Sequence, residues 1–173
     1  MRLLDHPQKD LLVAEWVRLR IPHMEHGGFG APLPGGRLPY VAYGVIGGPD
    51  RVTMLGGVVF HNYVPAYRSI EWSAASVTPC WLNREIISDI LSYPFGKLGC
   101  ARITAIIPKP SGKPDDPAQR ACDFHWRFGF KHEGTVRRLF GGRDAFIFGL
   151  LASEWRKSRF NTHREDVRQT VKA

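Results

Sequence analysis

His61 and Tyr63 stand two residues apart at the end of an apolar run that reads as a strand. On a strand that spacing puts both side chains on one face. An imidazole and a phenol so placed can shape a polar pocket or, with a further ligand, hold a metal such as iron. His23 and His26, in a glycine-rich stretch, are the histidines that could approach them. Two ligands do not make a site, and no metal is assigned. Cys80, Cys100 and Cys122 are an odd set without Cys-x-x-Cys spacing. They argue against a disulfide scaffold and a four-thiolate zinc site. Arg137 and Arg138 are adjacent, the tail is rich in Arg and Lys, and the net charge is +8. Such a balance favours anionic partners: a phosphorylated cofactor, RNA, DNA or an acidic protein. It does not choose among them.

These residues must be positioned by regular elements, and the apolar spacing predicts them. Residues 8–21 read as a helix, with Leu12, Trp16 and Leu19 at helical spacing and Leu11 beside them. Pro22 stops it. A long glycine-rich loop over 23–39 leads to two strands, 40–46 and 52–61, joined by Gly47-Gly48-Pro49-Asp50 as a hairpin. Residues 69–76 form a third strand. Ile70, Trp72 and Ala74 face one side of it, and Glu71, Ser73 and Ala75 the other.

The next helix is capped by Asn83 and carries an apolar stripe of Ile86, Ile87, Ile90, Leu91, Phe95 and Leu98, with Gly99 at its end. Pro94 should disturb its last turn. A short strand over 102–107, a polar loop over 108–117, a helix over 118–128 and a hairpin of strands 130–140 and 145–151 complete the order. With 173 residues the chain suits one domain, expected over 1–157, followed by a basic tail over 158–173. No signal segment or membrane-length apolar run is present, so the expected location is the cytoplasm.

The run Gly129-Phe130-Lys131-His132-Glu133-Gly134, with Arg137 and Arg138 after it, resembles the Gcn5-related N-acetyltransferases. The segment closing on Glu154-Trp155 is similar to that family's last strand and closing pair. Residues 81–99 resemble its central helix, and Arg102-Ile103-Thr104-Ala105 the strand after it. The resemblance covers roughly half the chain. It implies an α+β fold: a central mixed, mostly antiparallel, splayed sheet of six or seven strands with helices on both faces.

It further implies an acetyl-CoA-dependent N-acyltransferase, with acetyl-CoA laid in the splay beside the 69–76 strand. Its diphosphate would rest on the start of the central helix, where unpaired donors and the dipole favour anions. The residues in that place are Val77, Thr78, Cys80, Trp81, Leu82, Asn83 and Arg84. The loop has no glycine where the family has two, and Pro79 and Trp81 stand there instead. Glu71, on the strand beside the splay, would take the proton from the amine. Counting back from Gly129-Phe130, His125 falls where many members place a Tyr that protonates the leaving thiolate; an imidazole can do the same. The acceptor would be a small-molecule or protein amine. Some phage proteins resemble this family and modify DNA, so a phage-type divergent member binding nucleic acid through its basic surface is a second expectation. A non-enzymatic interaction module on the same fold is a third.

Overall fold

A computed structural model describes residues 1–21, 24, 28–50 and 52–163. Its elements are β1 (Arg2–Leu3), α1 (Lys9–Arg18), β2 (Val41–Gly47), β3 (Thr53–Val64), β4 (Ser69–Ser76), α2 (Arg84–Ser92), β5 (Arg102–Pro108), α3 (Pro117–Arg127), β6 (Lys131–Phe140), β7 (Arg143–Leu151) and α4 (Ala152–Trp155). The seven strands form one sheet in the order β1-β2-β3-β4-β5-β7-β6. All neighbours are antiparallel except β4 and β5, which the α2 crossover makes parallel. This is the mixed, mostly antiparallel sheet with helices on both faces that the element order predicts. No helix among the described residues is long and apolar enough to cross a membrane.

The β4–β5 ladder is short. Ser69, Ile70 and Glu71 pair with Arg102, Ile103 and Thr104. The pairing ends there although β4 runs on to Ser76 and β5 to Pro108. The sheet is therefore splayed from Glu71 onward. Backbone groups of β4 that point toward β5 beyond this position have no strand partner.

The larger core fills the face bearing Ile70 and Trp72. There Ile86, Ile87, Ile90 and Leu91 of α2, Cys122 of α3, and Phe128 and Phe130 pack on Phe60, Ile103, Phe148 and Leu150. The periodic stripe predicted for α2 is thus the buried one. Pro94 falls in a π-helical turn, Tyr93–Lys97, in which the Leu98 N–H reaches back five residues to the Tyr93 carbonyl at 2.9 Å. Proline's missing N–H is accommodated by this widened turn.

The opposite face holds α1. The helix does not bury the Leu12–Trp16–Leu19 stripe that its spacing suggests. Val13, Ala14 and Val17 are buried, while Leu12 is 46% and Leu19 64% exposed. The sheet decides this. A Cβ on Gly44 would lie 2.7 Å from Val13 Cγ2, and one on Gly57 would lie 2.8 Å from Val17 Cγ2. The two glycines remove side chains from the strands and let α1 settle close, so compact β-branched residues fit where Leu and Trp do not. Trp16 instead stays half-buried under the Arg20 guanidinium, 3.8 Å from the ring centroid.

The polar loop before α3 is fastened by Asp116. Its carboxylate caps α3 through the Ala118 N–H, accepts the Ser111 N–H and hydroxyl, and pairs with Arg143 at 2.9 Å. The Ser111 and Ala118 donors, with Arg143 beside them, hold the carboxyl well below the usual carboxylate range. A group so depressed stabilises the fold above its ordinary pKa of about 4 and loses that contribution as pH falls further. Asp116→Ala is expected to lower Tm at pH 7 and to flatten the acid dependence below pH ~4. Thermal melts of both proteins at pH 7 and pH 3 check this; equal melting at pH 7 would mean that the loop stands without the clasp.

Candidate active site

Four side chains converge on the α1-facing side of the sheet, where the β4–β5 ladder ends. β3 and β4 pair with His61 opposite Glu71 and Val59 opposite Ser73. Period-two alternation therefore places His61, Glu71 and Ser73 on the same face as Val59 and Ala75, which pack against α1. His61 Nε2 lies 2.9 Å from Ser73 Oγ, and His61 Nδ1 lies 3.9 Å from Glu71 Oε2. Asn62 Nδ2 donates to Glu71 Oε2 at 3.1 Å. The His61 side chain is 11% exposed and that of Glu71 33%. Burial lowers the imidazole's pKa, with the Glu71 charge and the Asn62 amide acting in the opposite direction. His61 is thus a neutral base at pH 7.

The local backbone builds this arrangement. The β3–β4 register shifts between His61 and Val64, and Asn62 takes a left-handed φ of 52°. Asparagine tolerates that region better than most residues. Regular pairing ends at His61, whose ring lies against Ser73, while Tyr63, within the shift, is exposed. Phe29 covers His61 from one side, with ring centroids 5.1 Å apart. Among the described residues no three potential metal ligands cluster. His23 and His26 lie outside the described residues.

The polar surface continues across β5. Thr104, the Cα partner of Glu71, accepts from Arg102 Nε at 3.1 Å, and Arg102 Nη2 pairs with Glu133 at 2.6 Å. Gly149 makes room: a Cβ there would overlap the Glu133 carboxylate.

His125 is placed differently from its expected role. It is 5% exposed, inside the core on the other face of the sheet. Its Nδ1 lies 2.6 Å from the Ala121 carbonyl and so carries a proton. Its Nε2 then accepts the indole N–H of Trp72 at 2.9 Å. Both nitrogens are occupied, and burial brings the pKa down to about 4 against a weaker upward pull from the Ala121 bond. At neutral pH the ring is neutral, and its one proton is held by a backbone oxygen. Apolar neighbours all round explain the difference, since Trp72, Phe124, Phe130 and Phe148 ring contacts surround it.

The loop before α2 is equally particular. Trp81 is 2% exposed and stacks on Phe124 at 5.7 Å, lying over Gly56, where a Cβ would strike its ring. Leu82 packs on the same core. Val77 and Cys80 are exposed; the Val77 N–H bonds to Leu55 O at 3.0 Å, and the Cys80 N–H lies 3.4 Å from Thr78 Oγ1. Asn83 Oδ1 accepts the Ile86 N–H at 2.8 Å, taking one of the helix's open donors. The N–H groups of Arg84 and Glu85 have no acceptor, and the Arg84 side chain no partner, among the described residues. Two backbone donors and a guanidinium fit one phosphate group. Glu85 in the first turn places a like charge beside it.

Arg137 and Arg138 lie exposed on β6 and line an open hollow with Asp144. They share no contact with the His61 cluster among those described.

No family profile matches the chain, and no curated protein sequence matches it. Solved structures do match. A crystal structure described as a probable acetyltransferase aligns at 18% identity over 68% of this chain and 64% of that one, with TM-score 0.55. The dodecameric spermidine N-acetyltransferase of Vibrio cholerae aligns at 18% identity over 68% of this chain and 67% of that one, with TM-score 0.53. Mutant forms of the spermidine/spermine N-acetyltransferase SpeG from the same organism align at 20%, over 67% and 66%, with TM-score 0.53. The chain spans about two thirds of the length of these structures. What the chain shares with these acetyltransferase structures is the fold. Similarity at this level concerns the fold, and the activity has to be argued from the site.

Proposed function

We propose that this chain is an acyl-CoA-dependent N-acyltransferase acting on an amine. The observation that carries the reading is the splay itself. The sheet opens at Glu71 and Thr104, beside a His61–Glu71–Ser73 cluster. A parallel pair that separates in mid-strand leaves unpaired backbone donors, which suit a developing oxyanion. Acetyl-CoA, when bound, supplies an activated thioester. Arg84 and the N–H groups of Arg84 and Glu85 would hold a phosphate of it. Glu71 is exposed enough to meet an acceptor and takes the amine's proton, directly or through water.

The acceptor amine is proposed to carry little positive charge of its own. With a net charge of +8 the chain repels a polycation, so spermidine, the substrate named for the SpeG structures, is disfavoured. An amine on an uncharged molecule or an acidic protein suits the field better.

Asn83 and buried Trp81 favour a second reading, an interaction module that has kept the fold without the cofactor. Titration calorimetry with coenzyme A separates the two. Binding at millimolar ligand or tighter, weakened in Arg84→Ala, is the expected result. Absence of heat and of thermal stabilisation would leave the interaction module standing. Nucleic-acid binding through Arg137 and Arg138 would show as retention on duplex DNA that falls steeply with salt.

A further inference from the structure

We propose that Asn62 is a positioning residue for the proton-accepting carboxylate: its amide anchors one oxygen of Glu71 and leaves the other to meet the acceptor amine where the sheet opens. The inference deepens the acyltransferase reading and rests on it for the task given to Glu71.

The two oxygens of Glu71 are held unequally. Asn62 Nδ2 donates to Oε2 at 3.1 Å, and this is the one hydrogen bond of the Glu71 side chain among the described residues. His61 Nδ1 lies 3.9 Å from the same oxygen, near enough for charge to act and too far for a hydrogen bond. The ring is held from its other edge, with Nε2 2.9 Å from Ser73 Oγ. Oε1 has no partner among the described residues. An ionised carboxylate only accepts, so the amide must present its nitrogen to it. One anchored oxygen and one open oxygen suit a base that must stand within reach of a proton better than a freely turning side chain does.

The backbone is shaped to bring the amide there. The β3–β4 ladder pairs His61 with Glu71 and then Val64 with Ser69, so Asn62 and Tyr63 together stand opposite Ile70. Two residues against one make a β-bulge, which re-aims a side chain. Its first residue, Asn62, has a left-handed φ of 52°. In a regular ladder Asn62 would be the cross-strand partner of Ile70 and share its face. Ile70 is 2% exposed in the larger core, on the side of the sheet away from Glu71. The bulge instead carries the amide to Glu71, the last position of β4 that pairs with β5. Asparagine meets both demands: it tolerates the left-handed region, and its amide donates. Glycine meets only the first, and an ionised aspartate cannot donate. Nearby Thr104 does not supply the anchor, since its Oγ1 accepts from Arg102 Nε at 3.1 Å.

The step that this arrangement serves balances without a further reactant. The amine nitrogen bonds to the acyl carbon of the thioester, and the carbon–sulfur bond breaks with the sulfur leaving as thiolate. The amine's excess proton passes to Glu71 Oε1, directly or through water, and from there to solvent. Asn62 neither gives nor takes a proton. Its amide sets where Oε1 stands, so its loss lowers the fraction of bound complexes in which the base is in reach. Arg84 and the α2 donors proposed to hold a phosphate lie on another element and are untouched by the change.

The anchor and the role are tested separately on the full chain. In proton–nitrogen NMR spectra one Asn62 side-chain amide proton is expected downfield of its free position, and Glu71→Ala should return it there. Release of coenzyme A from acetyl-CoA, with p-anisidine as an acceptor that is neutral at pH 7.5, reads the role. Asn62→Gly keeps the left-handed backbone and should lower kcat by about 10- to 10²-fold, with coenzyme A affinity unchanged. Asn62→Asp keeps the size but sets a second carboxylate against Glu71, and should lower kcat at least as far. In a Glu71→Gln background Asn62→Gly should cause no further loss, because it acts through the Glu71 charge. Circular dichroism and Tm verify that each variant is folded. An Asn62 amide at its free position in the wild-type chain overturns the proposal. So does a wild-type kcat in Asn62→Gly or Asn62→Asp, or an equal loss with and without the Glu71 charge; each of these leaves the acyltransferase reading intact. A chain that keeps the anchor yet neither binds coenzyme A nor releases it from acetyl-CoA removes the acyltransferase reading, and the positioning role falls with it.

Discussion

Glu71→Gln is expected to lower turnover by about 10²–10⁴-fold while leaving coenzyme A affinity unchanged. The proposed role sets both halves of that result. Glu71 is the cluster's one carboxylate, it is one-third exposed, and it borders the point where the sheet opens. Glutamine preserves size and still accepts from the Asn62 amide, so positioning survives and charge does not. Arg84 and the α2 donors, which would hold the cofactor's phosphate, lie on a different element. The variant also has a signature that a merely structural residue would lack. The Glu71 charge raises the His61 pKa against the larger lowering by burial. Removing that charge moves the His61 pKa further down, and the acid limb of the rate profile should move to lower pH with it. Steady-state rates with an uncharged amine acceptor, measured across pH, check both. Unchanged turnover and an unmoved acid limb would make Glu71 an ordinary surface carboxylate.

The second large effect is on stability. His125 is neutral in the fold, with a pKa brought down to about 4, whereas an unfolded chain has a histidine pKa near 6.5. The unfolded state therefore binds the proton first as pH falls. Above pH ~6.5 the two states agree and nothing is lost. Between about 6.5 and 4 stability declines, and below 4 the loss levels off at roughly 3 kcal/mol. That is a large part of the 5–15 kcal/mol that typically holds a domain together. Urea titrations from pH 7.5 to 4 should show the decline in the wild-type chain. They should show less of it in His125→Gln, whose amide oxygen can still accept the Trp72 N–H. Trp72→Phe is expected to cost about 1–3 kcal/mol at pH 7.5, because it leaves the buried Nε2 of His125 without a donor. A His125 imidazole that titrates near 6.5 by NMR would contradict the buried, doubly bonded ring.

The basis for both predictions lies partly in the sequence and partly beyond it. Strand and helix periodicity gave the element order and the face assignment of Ile70, Trp72 and Ala74 against Glu71, Ser73 and Ala75. These are properties of short segments, in which each residue's pattern reports its own neighbourhood. The Gly129–Gly134 run and the Glu154-Trp155 pair carried the fold likeness for the same reason.

Tertiary structure decided what depends on two distant segments meeting. Gly44 and Gly57 chose Val13 and Val17 over Leu12 and Leu19, because a helix's buried stripe is set by the surface it meets as well as by its own spacing. Cross-strand register brought His61 to Ser73, and an irregular turn at Asn62 brought its amide to Glu71. Nothing in either segment alone specifies that pairing. An asparagine late in a strand, tolerant of left-handed backbone, was the one local trace of the irregularity. His125 had the right residue type and offset for a proton donor, but the indole of Trp72, 53 residues away in sequence, occupies its second nitrogen. A side chain's type is written in the sequence; whether its lone pair and proton are available depends on the partners that folding places within 3 Å of it.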